Sequence, residues 1–557
     1  MRSAATRAGV ATRPASIAAV VAGVLVFAFR VLSQRGFSND QYLHLAWAQQ
    51  LLLGDIPGRD FVDPGMPLAY GLSAAAQWLL PGPYSEVLLS SALFGLAAAA
   101  TCLVVAQLTG SVAWGMGAAL VESAFRTRAY GSPKVLVPAV TLLALLWYLR
   151  LPSRRRLTVL ALWTIAAGLL RHDLGLYAVS TVAVGLAAFH GMDIRSSVRA
   201  ISAYAMLLLL AALPYLAFLQ ATEGVAAHLH NGLEFNKSEQ NQYLTELPPF
   251  PDDASLVNAG TWDRETSGVF LAYFARGLAL AAPFVLLIRA GGMSPAQRAG
   301  AAGAIVFLWW FSAIILRHSL PARVPDLAAV LAIAGAWTTA EVVRVSRTML
   351  SRFRPVPLIA GVALLAIAIG IPALGLSAVW VLGDVGAALR ETHVQNRWAK
   401  ATEVARARRL EGTAWPWTDH WPVGPMPEAV EYLASCTTAS DRLLVTWRAS
   451  EYYFFTRRGF AAGHSQLLAP YAFTAPADQA LMVKRTASHR VPIVLINESF
   501  REEFTRTFPM LDEYLRAHYT PVGHFTIDDG SDITIATRAD LHATSTYGAE
   551  RWPCGFL

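Results

Sequence analysis

Along the first two thirds of the chain, apolar residues come in unbroken blocks rather than in short alternating or one-sided runs. Ile17 to Ser33, Val87 to Leu108, Ile201 to Leu219 and Leu358 to Leu382 are four of them. A helix of about 20 such residues crosses a hydrocarbon core about 30 Å thick. Extended along the sequence, the pattern predicts membrane helices at 16–33, 86–109, 111–126, 133–150, 157–170, 174–190, 200–220, 267–289, 299–316, 325–343 and 356–382. The fold class expected is therefore a polytopic α-helical membrane protein with about 11 transmembrane helices. The first block has a basic flank but lacks a small-residue cleavage motif, so it reads as a retained helix.

Near residue 383 the pattern changes to short mixed elements. A polar helical stretch, Val385 to Leu410, leads through the Trp/Pro-rich segment Trp415 to Pro427 to a helix at Glu428 to Ser435. Strands are expected at Arg442 to Thr446, Val491 to Ile496, Pro521 to Ile527 and Asp532 to Thr537, with a helix at Phe500 to His518. This divides the chain into a transmembrane domain, 1–382, and a small C-terminal α/β domain, 383–557. Between the first two spans, loop 34–85 holds two apolar segments too short to cross, Tyr42 to Leu53 and Pro67 to Leu80, which read as helices along the membrane surface. No internal repeat is evident, which argues against an inverted-repeat transporter.

Charge then orients the chain. Arg2, Arg7 and Arg13 precede the first span; Arg150, Arg154, Arg155 and Arg156, then Arg195 and Arg199, then Arg289 and Arg298, then Arg344, Arg347, Arg352 and Arg354 fall in alternate short loops. By the positive-inside rule these ends are cytoplasmic, and an odd number of crossings puts the C-terminal domain outside a plasma membrane. The same distribution accounts for the net charge of +7 without a nucleic-acid partner. Composition agrees: 55% of the 557 residues are hydrophobic and only 15% charged, against about 25% charged in soluble domains. Three cysteines make no metal framework. Cys436 and Cys554, both in the tail, are expected to pair in an oxidising compartment.

The first outer loop is the most distinctive stretch. It reads Phe37-Ser38-Asn39-Asp40-Gln41-Tyr42, then Gly54-Asp55, then Arg59-Asp60-Phe61-Val62-Asp63-Pro64-Gly65-Met66-Pro67-Leu68-Ala69-Tyr70. In these residues the chain resembles the GT-C superfamily of membrane glycosyltransferases, including the protein O-mannosyltransferases and lipid A aminoarabinose transferases. Such proteins carry an acid just after the first helix, a Gly-Asp after the first surface helix and a Pro-Pro-Leu-x-Tyr-like start to the second. Gln41 departs from a frequent acid, and Gly65-Met66-Pro67 from Lys-Pro-Pro. The resemblance implies an inverting transfer of a sugar from a polyprenyl-phosphate carrier to an extracytoplasmic glycan, lipid or protein acceptor, with Asp40 as general base. Read without it, Asp40 caps a helix starting near Tyr42, and Asp60 and Asp63 either contact substrate or form Asx turns.

Cations on the outer side form the second candidate group: Arg126, Arg128 and Lys134, then Arg171-His172-Asp173, then Arg317-His318, then Arg323. Ionisable groups at membrane depth mark substrate paths, and forked donors suit phosphate. Arg171, His172, Arg317, His318 and Arg323 are accordingly candidate donor-binding residues, against a bland reading of interface turns with snorkelling side chains. The segment His228 to Gln242 fits no standard metal spacing and reads as a loop over the active cavity. No cofactor is implied, and a divalent cation stays open. The alternatives are a transporter or flippase of lipid-linked sugars, or a non-catalytic envelope scaffold.

Overall fold

The computed structural model describes residues 12–34, 37–240, 248–249, 264–316, 320–350, 427–468, 473–527 and 530–557. The expected span at 356–382, the polar stretch 385–410 and the Trp/Pro-rich segment lie outside them. Each expected span from 16–33 to 325–343 is occupied by a helix: α1 Thr12–Ser33, α4 Pro83–Thr109, α5 Val112–Ala124, α6 Ser132–Arg150, α7 Arg154–Leu170, α8 His172–His190, α9 Ile194–Thr222, α11 Arg264–Arg289, α12 Pro295–Ile314 and α14 Ala328–Leu350. The loop helices are α2 Asn39–Leu52 and α3 Pro67–Leu79; α10 is Val225–Gln240 and α13 the single turn Leu320–Arg323.

Among the described residues, seven helical stretches are long and apolar enough to cross a membrane: Arg13–Ser33, Pro83–Thr109, Ala129–Arg150, His172–His190, Ile194–Thr222, Gly268–Gly292 and Val324–Ser346. The helices α5, α7 and α12 are not among them. At 13 and 17 residues, α5 and α7 are short. Prolines open α3, α4 and α12, where a missing N–H costs nothing. Those inside α6, α9 and α11 are tolerated because neighbouring helices re-satisfy the backbone in a bundle.

The described residues fall into two compact units. The first takes in those of Met1–Ser33, Ser90–Leu213 and Gln242–His393, the second those of Gln34–Leu89, Pro214–Asn241 and Val394–Leu557. In the first unit, glycines let helix backbones approach closely, as small residues do in membrane bundles. A Cβ added at Gly23 of α1 would meet the Gly95 carbonyl of α4 at 2.9 Å. At one end of this unit, the fully buried Glu341 takes Arg289 Nε at 2.7 Å and Arg344 Nη1 at 2.5 Å. There Arg344 Nη2 also donates to the Thr109 carbonyl, and Arg298 to that of Ala188.

In the second unit, the C-terminal residues form a five-stranded mixed sheet. Its strands are β1 Arg442–Val445, β2 Gly459–Phe460, β3 Ile493–Asn497, β4 Tyr519–Thr526 and β5 Asp532–Arg538, in the order β2-β1-β3-β5-β4. β1 pairs in parallel with β2 and β3, while β5 pairs antiparallel with β3 and β4. β1 and β3 are buried along their whole length, as strands covered on both faces are. Helices α15 Pro427–Cys436, α16 Glu451–Thr456, α17 Pro476–Ser488, α18 Arg501–Thr507 and α19 Pro509–His518 surround the sheet. Met482, Phe504, Leu511 and Leu515 from them join Leu444, Val494 and Ala536 in its core. The expected helix 500–518 divides at Pro509, because the residue before a proline is pushed out of the helical region. A hairpin of β6 Ala543–Tyr547 and β7 Trp552–Phe556 ends the chain. Cys554 on β7 is disulfide-bonded to Cys436, their Cα atoms 4.6 Å apart.

Candidate functional site

Asp40 lies in the first turn of α2, and Ser38 occupies the cap position. It is not the cap of a helix starting near Tyr42, since the helix has already begun at Asn39. Both neighbours are tied down. Asn39 Nδ2 donates to the Arg448 carbonyl at 2.7 Å, and its Oδ1 accepts from Gln466 Nε2 at 2.6 Å. Gln41 Nε2 donates to Glu86 Oε1 of α4 at 2.6 Å. Tyr42 is fully buried against Phe37, Phe454 and Phe455. Asp40 is half-buried, and among the described residues its carboxylate takes no hydrogen bond or ion pair.

The acids farther along the loop are committed. Asp55 accepts from Arg442 Nη2 at 2.9 Å; burial pushes its carboxyl up, with Arg442 working against the shift. Asp60 receives both Arg59 Nε and Nη2 and the Ile56 amide. The bond from Arg59 holds its carboxyl below the usual range. Asp63 is buried, accepts from the Gly65 amide at 2.9 Å as an Asx turn does, and takes the Tyr215 hydroxyl at 3.3 Å. The Asx-turn reading thus describes Asp63, whereas Asp60 accepts from the amide of Ile56, four residues before it, and from Arg59. His228 belongs to α10 rather than to a loop, and its Nδ1 meets Glu223 Oε1 at 2.5 Å. Burial works to lower that imidazole, yet the bond and charge of Glu223 outweigh it and raise it. Among the described residues, no group of three or more His, Cys, Asp or Glu side chains is placed to hold a metal ion.

The first unit holds the cations. Arg171 sits at the extended break between α7 and α8, with Nε 2.8 Å from Asp173 Oδ1. His172 opens α8 directly after it. Lys134, in the first turn of α6 and only 5% exposed, reaches Asp326 Oδ2 at 2.5 Å. Arg171 and Arg323 are both within electrostatic reach of Lys134. Arg323, at the end of α13, has a buried Nε with no partner among the described residues. Among the described residues, three cations and two carboxylates meet here, leaving one net positive charge. Arg317 and His318 lie outside the described residues. Sequence reasoning named Lys134 only among outer-side cations and missed Asp326 and Glu86 altogether. The available signal was a charged residue in the opening turn of an apolar helix, which is expensive unless partnered.

These features define a multi-pass membrane protein with a strand-containing C-terminal domain and a cluster of polar side chains in each unit. No family model and no curated protein matches the sequence. Among solved structures, the chain is similar to ArnT from Cupriavidus metallidurans bound to undecaprenyl phosphate, at 12% identity over 94% of this chain and 98% of that one, with a TM-score of 0.49. It is likewise similar to the apo state of that protein, at 13% identity over 93% and 97% of the two chains, with a TM-score of 0.46.

Proposed function

We propose that the protein is an inverting glycosyltransferase that moves a sugar from a polyprenyl-phosphate carrier to an acceptor outside the cytoplasm. Asp40 takes the proton from the acceptor hydroxyl, the acceptor oxygen attacks the anomeric carbon, and the bond from that carbon to the phosphate oxygen breaks, releasing polyprenyl phosphate. Lys134, Arg171 and Arg323 hold the phosphate and offset the charge it gains on leaving. Arg317, His172 and His318 are further donor-side candidates, and Asp60 and Asp63 shape the loop. In this reading the N-terminus is cytoplasmic and residues 383–557 form the extracytoplasmic domain.

The observation that carries the reading is the Asp40 carboxylate, uncommitted among the described residues between two clamped neighbours. A carboxylate kept for structure would be used by its surroundings, as those of Asp55, Asp60 and Asp63 are. The test is transfer from a radiolabelled polyprenyl-phosphate sugar by purified protein. Asp40→Asn is expected to lower turnover by about 10²- to 10⁴-fold with donor binding nearly intact, the range for removal of a general base. Wild-type turnover by that variant would end the assignment. Tight donor binding by the wild type with no transfer to any acceptor would make the protein a carrier of lipid-linked sugars.

A further inference from the structure

We infer that Glu86 is a positioning residue for Asp40, acting through Gln41 to hold the first turn of α2. The inference rests on the proposed role of Asp40. Successive helical residues are about 100° apart around the axis, so Asn39 and Gln41 flank Asp40 on either side. Asn39 is held by Arg448 and Gln466 of the C-terminal residues, and Gln41 by Glu86. With both flanks fixed, the turn cannot roll, and the arc swept by the Asp40 side chain is narrow.

Glu86 suits this task. It is 4% exposed and Gln41 is 1% exposed, so their 2.6 Å bond is shielded from water. The Ser73 hydroxyl of α3 bonds the same carboxylate, which ties α2, α3 and the head of α4 at one point. A buried carboxylate is costly to desolvate, and the N-terminal end of α4 offsets part of that cost. A role confined to stapling three helices would change stability and leave turnover per folded molecule alone. A positioning role lowers kcat.

The experiment compares Glu86→Ala, Glu86→Gln and the swap Gln41→Glu with Glu86→Gln in the full chain, using the transfer assay and amide hydrogen exchange at residues 39–42. Glu86→Ala is expected to lower kcat by about 10²-fold, the scale of a misplacement near 1 Å, with the donor KM within about threefold of wild type. Glu86→Gln is expected to recover most of the rate, because its amide oxygen still accepts from Gln41. The swap restores the pair in the reverse direction and should outperform Gln41→Glu alone. Exchange at residues 39–42 should be faster in Glu86→Ala and near wild type in Glu86→Gln.

Wild-type kcat in Glu86→Ala, a change confined to KM, or equal loss in Glu86→Ala and Glu86→Gln would each overturn the inference. Should Glu86→Ala fail to fold, the swap decides: a kcat no higher than that of Gln41→Glu alone overturns the inference, and a higher one supports it. If the wild type transfers no sugar, the proposed function fails, and exchange alone judges the clamp: unchanged rates in Glu86→Ala overturn it, and faster rates support it.

Discussion

Arg442, the first residue of β1, reaches Asp55 of the first loop at 2.9 Å although 387 residues separate them. Its Nη1 donates to Gln50 Oε1 at 3.0 Å, and Gln50 Nε2 donates to the Phe460 carbonyl. Both charged side chains are largely buried, at 11% and 14% exposed. Removing one member of such a pair leaves an uncompensated charge and costs about 3 to 5 kcal/mol. Arg442→Ala is therefore expected to lower the melting midpoint of the purified protein more than Asp55→Asn with Arg442→Met together. Arg442→Lys should fall between, since it keeps the charge but loses the fork. Equal midpoints for wild type and Arg442→Ala would show that the pair contributes nothing.

What could be read from the sequence was local. Helical spans follow from runs of apolar residues, and α15, β1, β3, β4 and β5 follow from short patterns bounded by turn residues. Asp63 makes the Asx turn its surroundings suggest. What could not be read depends on partners far along the chain. The sequence of α2 suggests a helix along the membrane surface, yet its polar residues Gln41, His44, Gln49 and Gln50 are buried. Their coverage comes from α3 and from the C-terminal residues, hundreds of positions away. β6 and β7 were missed because Ala543–Tyr547 is almost entirely exposed and lacks the apolar alternation of a half-buried strand. The Lys134–Asp326 and Gln41–Glu86 pairs left no local trace beyond one charge in each apolar block.

The disulfide between Cys436 and Cys554 closes a span of 118 residues. In the loop-closure account a bond over so long a segment contributes about 4 to 5 kcal/mol. Peptide mapping without reductant is expected to recover the two cysteines as one linked peptide, and Cys436→Ser should lower the melting midpoint of the C-terminal residues. Such bonds persist outside the cytoplasm, so an alkaline phosphatase fusion after Leu557 should be active. A silent, well-expressed fusion would reverse the proposed orientation.

His464 gives the C-terminal residues a pH dependence with a definite sign. Burial, with the Arg485 guanidinium nearby, lowers the imidazole to about 3, whereas in the unfolded chain it titrates near 6.5. Below that unfolded value the unfolded state binds the extra proton. The contribution of His464 is thus fully present above about pH 6.5 and is lost as pH falls toward 3, at up to about 1.4 kcal/mol per unit. His464→Phe keeps a ring against Phe473, 4.8 Å away in the native pair, and removes the titration. Its melting midpoint should fall less than that of wild type between pH 7 and pH 5. Parallel curves for the two proteins would refute the assignment.

Gly168 and Gly175 face each other where α7 and α8 meet beyond Arg171, but they are not equivalent. A Cβ at Gly175 would stand 2.6 Å from the Gly168 Cα, whereas one at Gly168 would stand 3.6 Å from that of Gly175. The first is a backbone clash and the second an ordinary contact. Gly168→Ala should be neutral or stabilising, because alanine is the better helix former by about 1 kcal/mol. Gly175→Ala should destabilise by about 1 to 3 kcal/mol through overpacking. Size-exclusion profiles and melting midpoints of the two variants, measured side by side, check the asymmetry; matching behaviour would contradict it.

The cation cluster should show opposite effects on binding and on stability. Arg171 and Arg323 surround a pair, Lys134 and Asp326, that is already matched. If the surplus charge receives the donor phosphate, Arg171→Ala and Arg323→Ala should each weaken binding of a polyprenyl monophosphate by about 10- to 100-fold, equivalent to about 1.5 to 3 kcal/mol for a hydrogen bond to a charged group. Arg171→Lys should recover part of it. Asp326→Asn should do the reverse: with one carboxylate fewer, the phosphate binds more tightly, while the buried Lys134 ammonium loses its counterion and the melting midpoint drops. A merely structural cluster predicts losses of stability in all these variants and no change in phosphate affinity among those that remain monodisperse. Native mass spectrometry with the lipid phosphate and thermal unfolding of the same preparations separate the two cases, and wild-type affinity in both arginine variants would remove the phosphate role.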